Sequence, residues 1–271
     1  MKKSKRQATR GGIFIKNAAI LTVTSLLLKA AGMYFRIYVS DLIGAEGMGL
    51  YQMIMSVYVL FSGFASSGIV VAVTRMTADE MVRGSAKTVR LVLRRCLTVS
   101  FAMGMLSTIA AYALAEPVGS GWISDERAVS TVRIMAMALP FMSVSCCLRG
   151  YFTARRKVSV PSAAQIVEQG SRIALALFFL IKASPCSVER SCIAIMAADV
   201  ISEAAGCSYV VIGYLLDRRK LKCMNEKAET PDYSIRRRIW DIAAPITASH
   251  YLTTLLRTVE SILVPDCFPS S

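Results

Sequence analysis

KNAAILTVTSLLLKAAGMYFRIYVSDLIGAEGMGLYQM, residues Lys16 to Met53, decides the class of this chain. Its first part is an apolar run about as long as the roughly 20 residues that a helix needs to cross a bilayer core. Lys29 and Arg36 are the charges inside that run, and a short stretch with Gly44, Gly47 and Gly49 leads into a second one. Lipid offers no partners for bare backbone N–H and C=O groups, so runs of this length in a membrane must be helices. Working outward, apolar segments occupy about 13–39, 50–74, 96–116, 128–151, 161–182 and 191–216, and a seventh runs from about 238 to 264. The expectation is an all-α, polytopic membrane protein built as a helical bundle. Residues 1–12 read as a basic tail, 13–216 as a six-helix lobe, 217–236 as a basic loop and 237–271 as a seventh helix and C-terminal end. The first run is too long, and too charged, for a cleaved signal peptide.

The basic residues fall on alternate sides of these segments. Counting the tail and the second, fourth and sixth loops gives 24 Lys and Arg, whereas the opposite loops hold Arg127, Lys182 and Arg190. Cytoplasmic loops are the basic ones, so the N-terminus is expected in the cytoplasm of a multi-pass cell-membrane protein. The formal net charge of +14 then follows from short loops at membrane ends and calls for no nucleic acid. Membrane lipids are the expected partners of these loops, at about 1 kcal/mol per basic residue near an anionic surface.

Charges within spans are expensive and tend to face a bundle interior or an aqueous cavity. Thr22, Ser25, Lys29, Gly32 and Arg36 recur at steps of three and four, so they share one helix face. Two cations on that face point to a cavity rather than a helix seam, although Arg36 lies near enough to the outer interface to snorkel. In the second span, Gln52, Ser56, Gly63, Ser67 and Thr74 form an uncharged stripe of the kind that lets helices approach closely. The fifth span opens at Pro161 and carries Glu168 and Arg172 four residues apart. These can pair along the helix, or Arg172 can reach a substrate at mid-membrane. The sixth carries Asp199 and Glu203, again four apart. Two like charges on one face call for a proton, a bridging cation or a basic residue from a neighbouring helix. Arg133 reads as a snorkelling residue, and Pro140 predicts a kink in the fourth span. His250 lies in the seventh segment and is no candidate proton carrier.

Signals for enzymatic chemistry are missing. The sequence has no G-x-x-x-x-G-K-[ST], H-E-x-x-H or G-x-S-x-G motif. The eight cysteines include no C-x-x-C pair, so neither a metal site nor a cofactor is expected. Cys146, Cys147 and Cys207 read as small packing residues, while Cys186 and Cys192 flank an outer loop where a disulfide is conceivable.

Four stretches resemble the oligosaccharide and polysaccharide flippase family of the MOP (MATE-like) superfamily: Lys16–Met53 quoted above, SGIVVAVTRM (Ser67–Met76), PSAAQIVEQGSR (Pro161–Arg172) and WDIAAPIT (Trp240–Thr247). The likeness spans about 12–265 and is strongest to the sporulation-associated branch. It implies a V-shaped bundle of two lobes that moves undecaprenyl-linked sugars, peptidoglycan precursors among them, by alternating access. It also implies partners among cell-wall synthesis proteins, and a role in spore cortex synthesis. Lys29 stands where related lipid II flippases carry a cavity arginine, counted back from LIGA. Arg36 follows with a spacing that differs by one residue. On this reading Lys29 and Arg36 bind the substrate's pyrophosphate, Arg172 also contacts the substrate, and Asp199 and Glu203, or the Glu168–Arg172 pair, couple the cycle to an ion gradient or the membrane potential. The family would need about twice this length for its second lobe, so the chain reads as an N-terminal half, a truncated frame or fragment that would not flip lipid alone. The alternatives are a MATE-type drug/cation antiporter, which should line its cavity with acids, and a non-transporting membrane scaffold.

The charge asymmetry generates the first prediction. Single cysteines placed in 217–236 should be shielded from impermeant maleimide in intact cells and react after permeabilisation. Labelling of this loop from outside would overturn the orientation.

Overall fold

The computed structural model describes residues 2–83, 86–117, 119, 127–183 and 188–221, with 237, 241, 242, 244–246, 248, 249 and 252 beyond them. All the described elements are helices: α1 (Lys2–Arg83), α2 (Ala86–Ala113), α3 (Ala115–Pro117), α4 (Arg127–Ala136), α5 (Ala138–Ala154), α6 (Ser159–Ala183) and α7 (Val188–Leu221). Among the described residues, five helical segments are long and apolar enough to cross a membrane: Gly47–Val82, Thr88–Ala113, Ala128–Ala154, Ser159–Ile181 and Arg190–Arg218. The expected first span, 13–39, is helical but is not one of these five. The expected seventh segment lies largely outside the described residues.

The expected loop at 40–49 is instead a sharp break within α1. Gly44 has φ 73° and ψ 179°, a conformation reserved for glycine, and it divides α1 into two arms. Open space surrounds the position where a Cβ would sit, so the requirement for glycine comes from the backbone alone. The helices also extend further than hydropathy suggested. Arg75 lies on the second arm of α1, and Arg90, Arg94 and Arg95 lie on α2 rather than in a loop. Long basic side chains can ride on a helix end while their heads reach water.

The fourth span is interrupted one residue beyond Ala136, ahead of Pro140. Met137 closes a tight turn through its N–H to the Ile134 carbonyl at 3.0 Å, and α5 starts at Ala138. Proline lacks the N–H that would bond four residues back, which frees the Ala136 carbonyl. The Thr108 hydroxyl of α2 lies 3.1 Å from that oxygen and satisfies it. Close approach of α2 makes this possible: a Cβ on Gly104 would sit 2.9 Å from the Pro140 Cα and 2.8 Å from Ser143 Oγ. Small hydroxyls continue the seam, with Ser100 donating to the Ser143 carbonyl at 2.7 Å and Ser143 to the Ala65 carbonyl at 3.2 Å. The α1 stripe joins in at Thr74, whose hydroxyl lies 2.7 Å from the Val70 carbonyl and 3.2 Å from that of Gly150.

Two apolar cores stack along the bundle. One gathers Phe35, Val39, Ile54, Phe61, Leu139, Leu180 and Ile195; the other gathers Val73, Met76, Leu93, Leu148, Phe152 and Val210. The helix pair α6 and α7 packs along its length, and α5 is wedged between α1, α2 and α7. Beyond the second core, α5 ends in a Schellman turn. Arg156 takes φ 57°, and the Lys157 N–H donates to the Phe152 carbonyl at 3.0 Å. Arg155 and Lys157 then both pair with Asp217 of α7, which also accepts the Tyr151 hydroxyl at 2.9 Å.

Gly104→Ala should lower the thermal unfolding midpoint in detergent, since the added methyl meets backbone. Gly170→Ala, with open space around it, should leave the midpoint unchanged or raise it slightly, because helix propensity favours alanine by up to ~1 kcal/mol. An unchanged midpoint for Gly104→Ala would contradict the close α2–α5 seam.

Candidate functional site

A cavity of about 370 Å³ opens between the first arm of α1 and α6. Lys29, Gly32 and Arg36 face it from α1, Tyr51 from the second arm, and Gln169 and Arg172 from α6. The three-and-four spacing of the α1 stripe is what brings Lys29 and Arg36 to the same wall. The break at Gly44 folds Met48, Tyr51 and Met55 onto the far side. Gly32 keeps the two helices close, since a Cβ there would stand 3.4 Å from Gln169 Nε2. Lys29 and Arg36 are both exposed along this wall. Among the described residues that line the cavity there is no Asp or Glu.

Arg172 belongs to a second set of contacts as well. Its Nε lies 2.8 Å from Asp199 Oδ1, and its Nη2 lies 3.3 Å from Glu168 Oε1 and 3.5 Å from Glu203 Oε1. Its Nη1 is 3.5 Å from Gln169 Oε1. The Asp199 contact is close in distance but poorly aligned, and neither Arg172 Nε nor Asp199 Oδ1 makes a directed hydrogen bond. Glu168 is also held from α5, where Arg149 Nη2 approaches its Oε2 at 2.5 Å. Gly206 lets α7 approach the Glu168 stem, since a Cβ there would stand 3.2 Å from the Glu168 Cβ. Three carboxylates and two guanidiniums therefore meet between the two apolar cores, with Glu203 only 9% exposed.

The pairing along α6 is present, but it is one contact of several. Asp199 and Glu203 are bridged by the cation of the neighbouring helix, which completes what their spacing left open. Arg149 is the residue that sequence reasoning misplaced. The loop count takes it as a cation of the fourth loop, with Arg155, Arg156 and Lys157, yet it sits within the span Ala128–Ala154. Its signal was local: Ser143 to Leu148 before it and Gly150 to Phe152 after it carry no charge. Arg133 takes a different part. It pairs with Glu116 at 2.7 Å and covers the Tyr112 ring at 5.1 Å, at the end of the bundle away from the tail-side loops. Cys192 is buried, with its Sγ 3.8 Å from the Gly47 carbonyl of α1, while Cys186 lies outside the described residues. Among the described residues no cluster of His, Cys, Asp and Glu has a metal-holding arrangement.

Comparison with known proteins places this architecture. Residues 14–267 match the family described as "Polysaccharide biosynthesis protein". Stage V sporulation protein B of Bacillus subtilis (strain 168) is 23% identical over 255 residues, covering 93% of this chain and 49% of that protein. Lipid II flippase MurJ of the same organism is 24% identical over 168 residues, covering 59% of this chain and 31% of that protein. A MATE protein solved in a straight conformation superposes with a TM-score of 0.74 at 14% identity, over 90% of this chain and 54% of that one. The chain thus spans about half the length, or less, of the curated relatives it matches.

The Arg149–Glu168 contact generates a prediction. Arg149→Leu should destabilise the detergent-solubilised protein by leaving three carboxylates on one guanidinium. Adding Glu168→Leu should recover part of the loss, giving a coupling energy of about 1–3 kcal/mol in a double-mutant cycle. Additive effects would mean that the pair is not formed.

Proposed function

The chain belongs to the polysaccharide biosynthesis protein family, and from that premise we propose that it contributes one lobe of a flippase for lipid-linked oligosaccharides or peptidoglycan precursors. It is a multi-pass membrane protein of the MATE/MOP-like fold and not an enzyme. The observation that carries the reading is the cavity lining: Lys29, Arg36 and Arg172 converge on the cavity, and no carboxylate lines it among the described residues. A pyrophosphate bridging lipid and sugar is a compact dianion. Charge-assisted hydrogen bonds from an ammonium and two guanidiniums suit it, and the guanidinium fork can engage two phosphate oxygens at once. Gln169 and Tyr51 add neutral polar groups to the same cavity.

Alternating access would carry the bound headgroup across as this lobe rocks against a second one. Glu168, Asp199 and Glu203 would couple that motion to an ion, since their charge balance depends on Arg172. The names of the relatives favour a lipid-linked cell-wall precursor, and the larger share of this chain matched by the sporulation protein favours a place in spore cortex synthesis. The fold likeness to a MATE protein supports a second reading, drug/cation antiport. A cationic drug would be repelled by three inward cations, so the lining favours the anionic substrate.

Lys29 is the residue to test. In the full-length protein, Lys29→Ala should lower flipping of a lipid-linked sugar in proteoliposomes at least about tenfold, the loss of one charged hydrogen bond, with folding retained. Lys29→Arg should keep part of the activity, because charge survives while geometry changes. Wild-type transport by Lys29→Ala would remove the anionic-substrate reading. Export of a cationic drug instead would favour the antiporter.

A further inference from the structure

Arg172 faces two ways, toward the cationic cavity and toward the carboxylates of α6 and α7. We propose that Arg172 is a shared cation: a diphosphate entering the cavity draws its guanidinium away from Asp199 and Glu203, and the carboxylate cluster takes up a proton in exchange. The proposal rests on the reading of the cavity as a diphosphate site and adds to it the link between anion and proton.

The geometry of the hold on Arg172 motivates the exchange. Its contacts to Glu168 and Glu203 are long, at 3.3 and 3.5 Å, and the short one to Asp199 is misaligned. Hydrogen bonds weaken with length and off the donor axis, so of the three carboxylates only Glu168 takes an aligned N–H of the fork, and that one at 3.3 Å. A phosphate in the cavity offers two oxygens in one plane, which the fork can meet with aligned N–H groups. Lys29 and Arg36 on the opposite wall supply the remaining positive charge.

Charge balance then fixes the sign of the coupling. Counted with every carboxylate ionised, three carboxylates and two guanidiniums leave one negative charge in excess. If Arg172 turns to the anion, Arg149 alone remains and the excess becomes two. Tyr51 and Tyr58 of α1, Cys146 and Arg149 of α5, Glu168 and Arg172 of α6 and Cys207 of α7 surround Asp199 and Glu203. None of these supplies a further cation, and Arg133 of α4, which also packs on α7, is engaged with Glu116. Uncompensated charge within a bilayer is costly. A proton moving from water to a carboxylate oxygen restores the balance without a coordination shell, and no metal-holding cluster occurs among the described residues. Linkage makes the effect reciprocal: whatever protonates the cluster also strengthens anion binding, by the same factor.

The test uses dimethyl pyrophosphate, a diester that stays a dianion across neutral pH, with the full-length protein in detergent. Binding is followed by calorimetry in buffers of different ionisation enthalpy, which reads proton uptake directly. The expected result is about one proton taken up per anion bound, with affinity falling toward tenfold per pH unit as pH rises. Asp199→Asn with Glu203→Gln should bind the anion more tightly and flatten that pH dependence, a change that a structural defect would not produce. Anion binding with no proton uptake, or with sodium uptake in its place, would overturn the exchange while leaving the diphosphate site intact. No binding by the wild type would instead overturn the proposed function, and the exchange with it.

Discussion

The contact of Arg172 with three carboxylates is the constraint that the rest of the bundle obeys. A guanidinium in the membrane is costly, roughly 3 kcal/mol at a helix centre on insertion scales. It persists only where opposite charge meets it. Glu168 supplies that charge from the same helix, Asp199 and Glu203 from α7, and Arg149 of α5 balances the surplus. The network therefore fixes the rotation of three helices about their axes. The apolar cores on either side can pack only once that rotation is set. At the far end, Asp217 repeats the device, with Arg155 and Lys157 fastening the α5–α6 turn to α7.

The same constraint shapes the cavity. With Arg172 anchored to α7, its outer edge is held toward the first arm of α1, where Lys29 and Arg36 lie. Gly44 is the permissive element on the other side. Its backbone conformation turns the two arms of α1 so that Tyr51 and Met55 close the wall opposite the cations. Glu168, Asp199 and Glu203 are thus kept within the helix bundle, while Lys29 and Arg36 face the cavity. That separation of sign is what the proposed anion site rests on.

Much of this was legible in the chain. Apolar length gave the spans, and the step of three and four gave the shared face of Lys29 and Arg36, because both follow from helix geometry alone. The pairing of Arg172 with Asp199 and Glu203 was legible only as an open choice, since spacing reports one helix at a time and the contact joins two. Arg149 was misread because a cation at the tail-side end of a span looks like a loop cation until its neighbour is known. The break at Met137 lies ahead of Pro140 because a proline frees the carbonyl one turn before it, and Thr108 of α2 stabilises that opening. The extension of α2 back to Ala86 escaped hydropathy, which scores Arg90, Arg94 and Arg95 as loop although arginine is a good helix former.

The central claim is that the cationic face of α1 and the Arg172 face of α6 enclose one cavity. Its most direct measurement is a cross-link between Gly32→Cys and Gln169→Cys in native membranes, with the eight native cysteines replaced. The Cβ position at Gly32 stands 3.4 Å from the Gln169 amide nitrogen, so a short bifunctional thiol reagent should join the two in high yield. Two cysteines that each react with a monofunctional reagent but never cross-link would contradict the shared cavity.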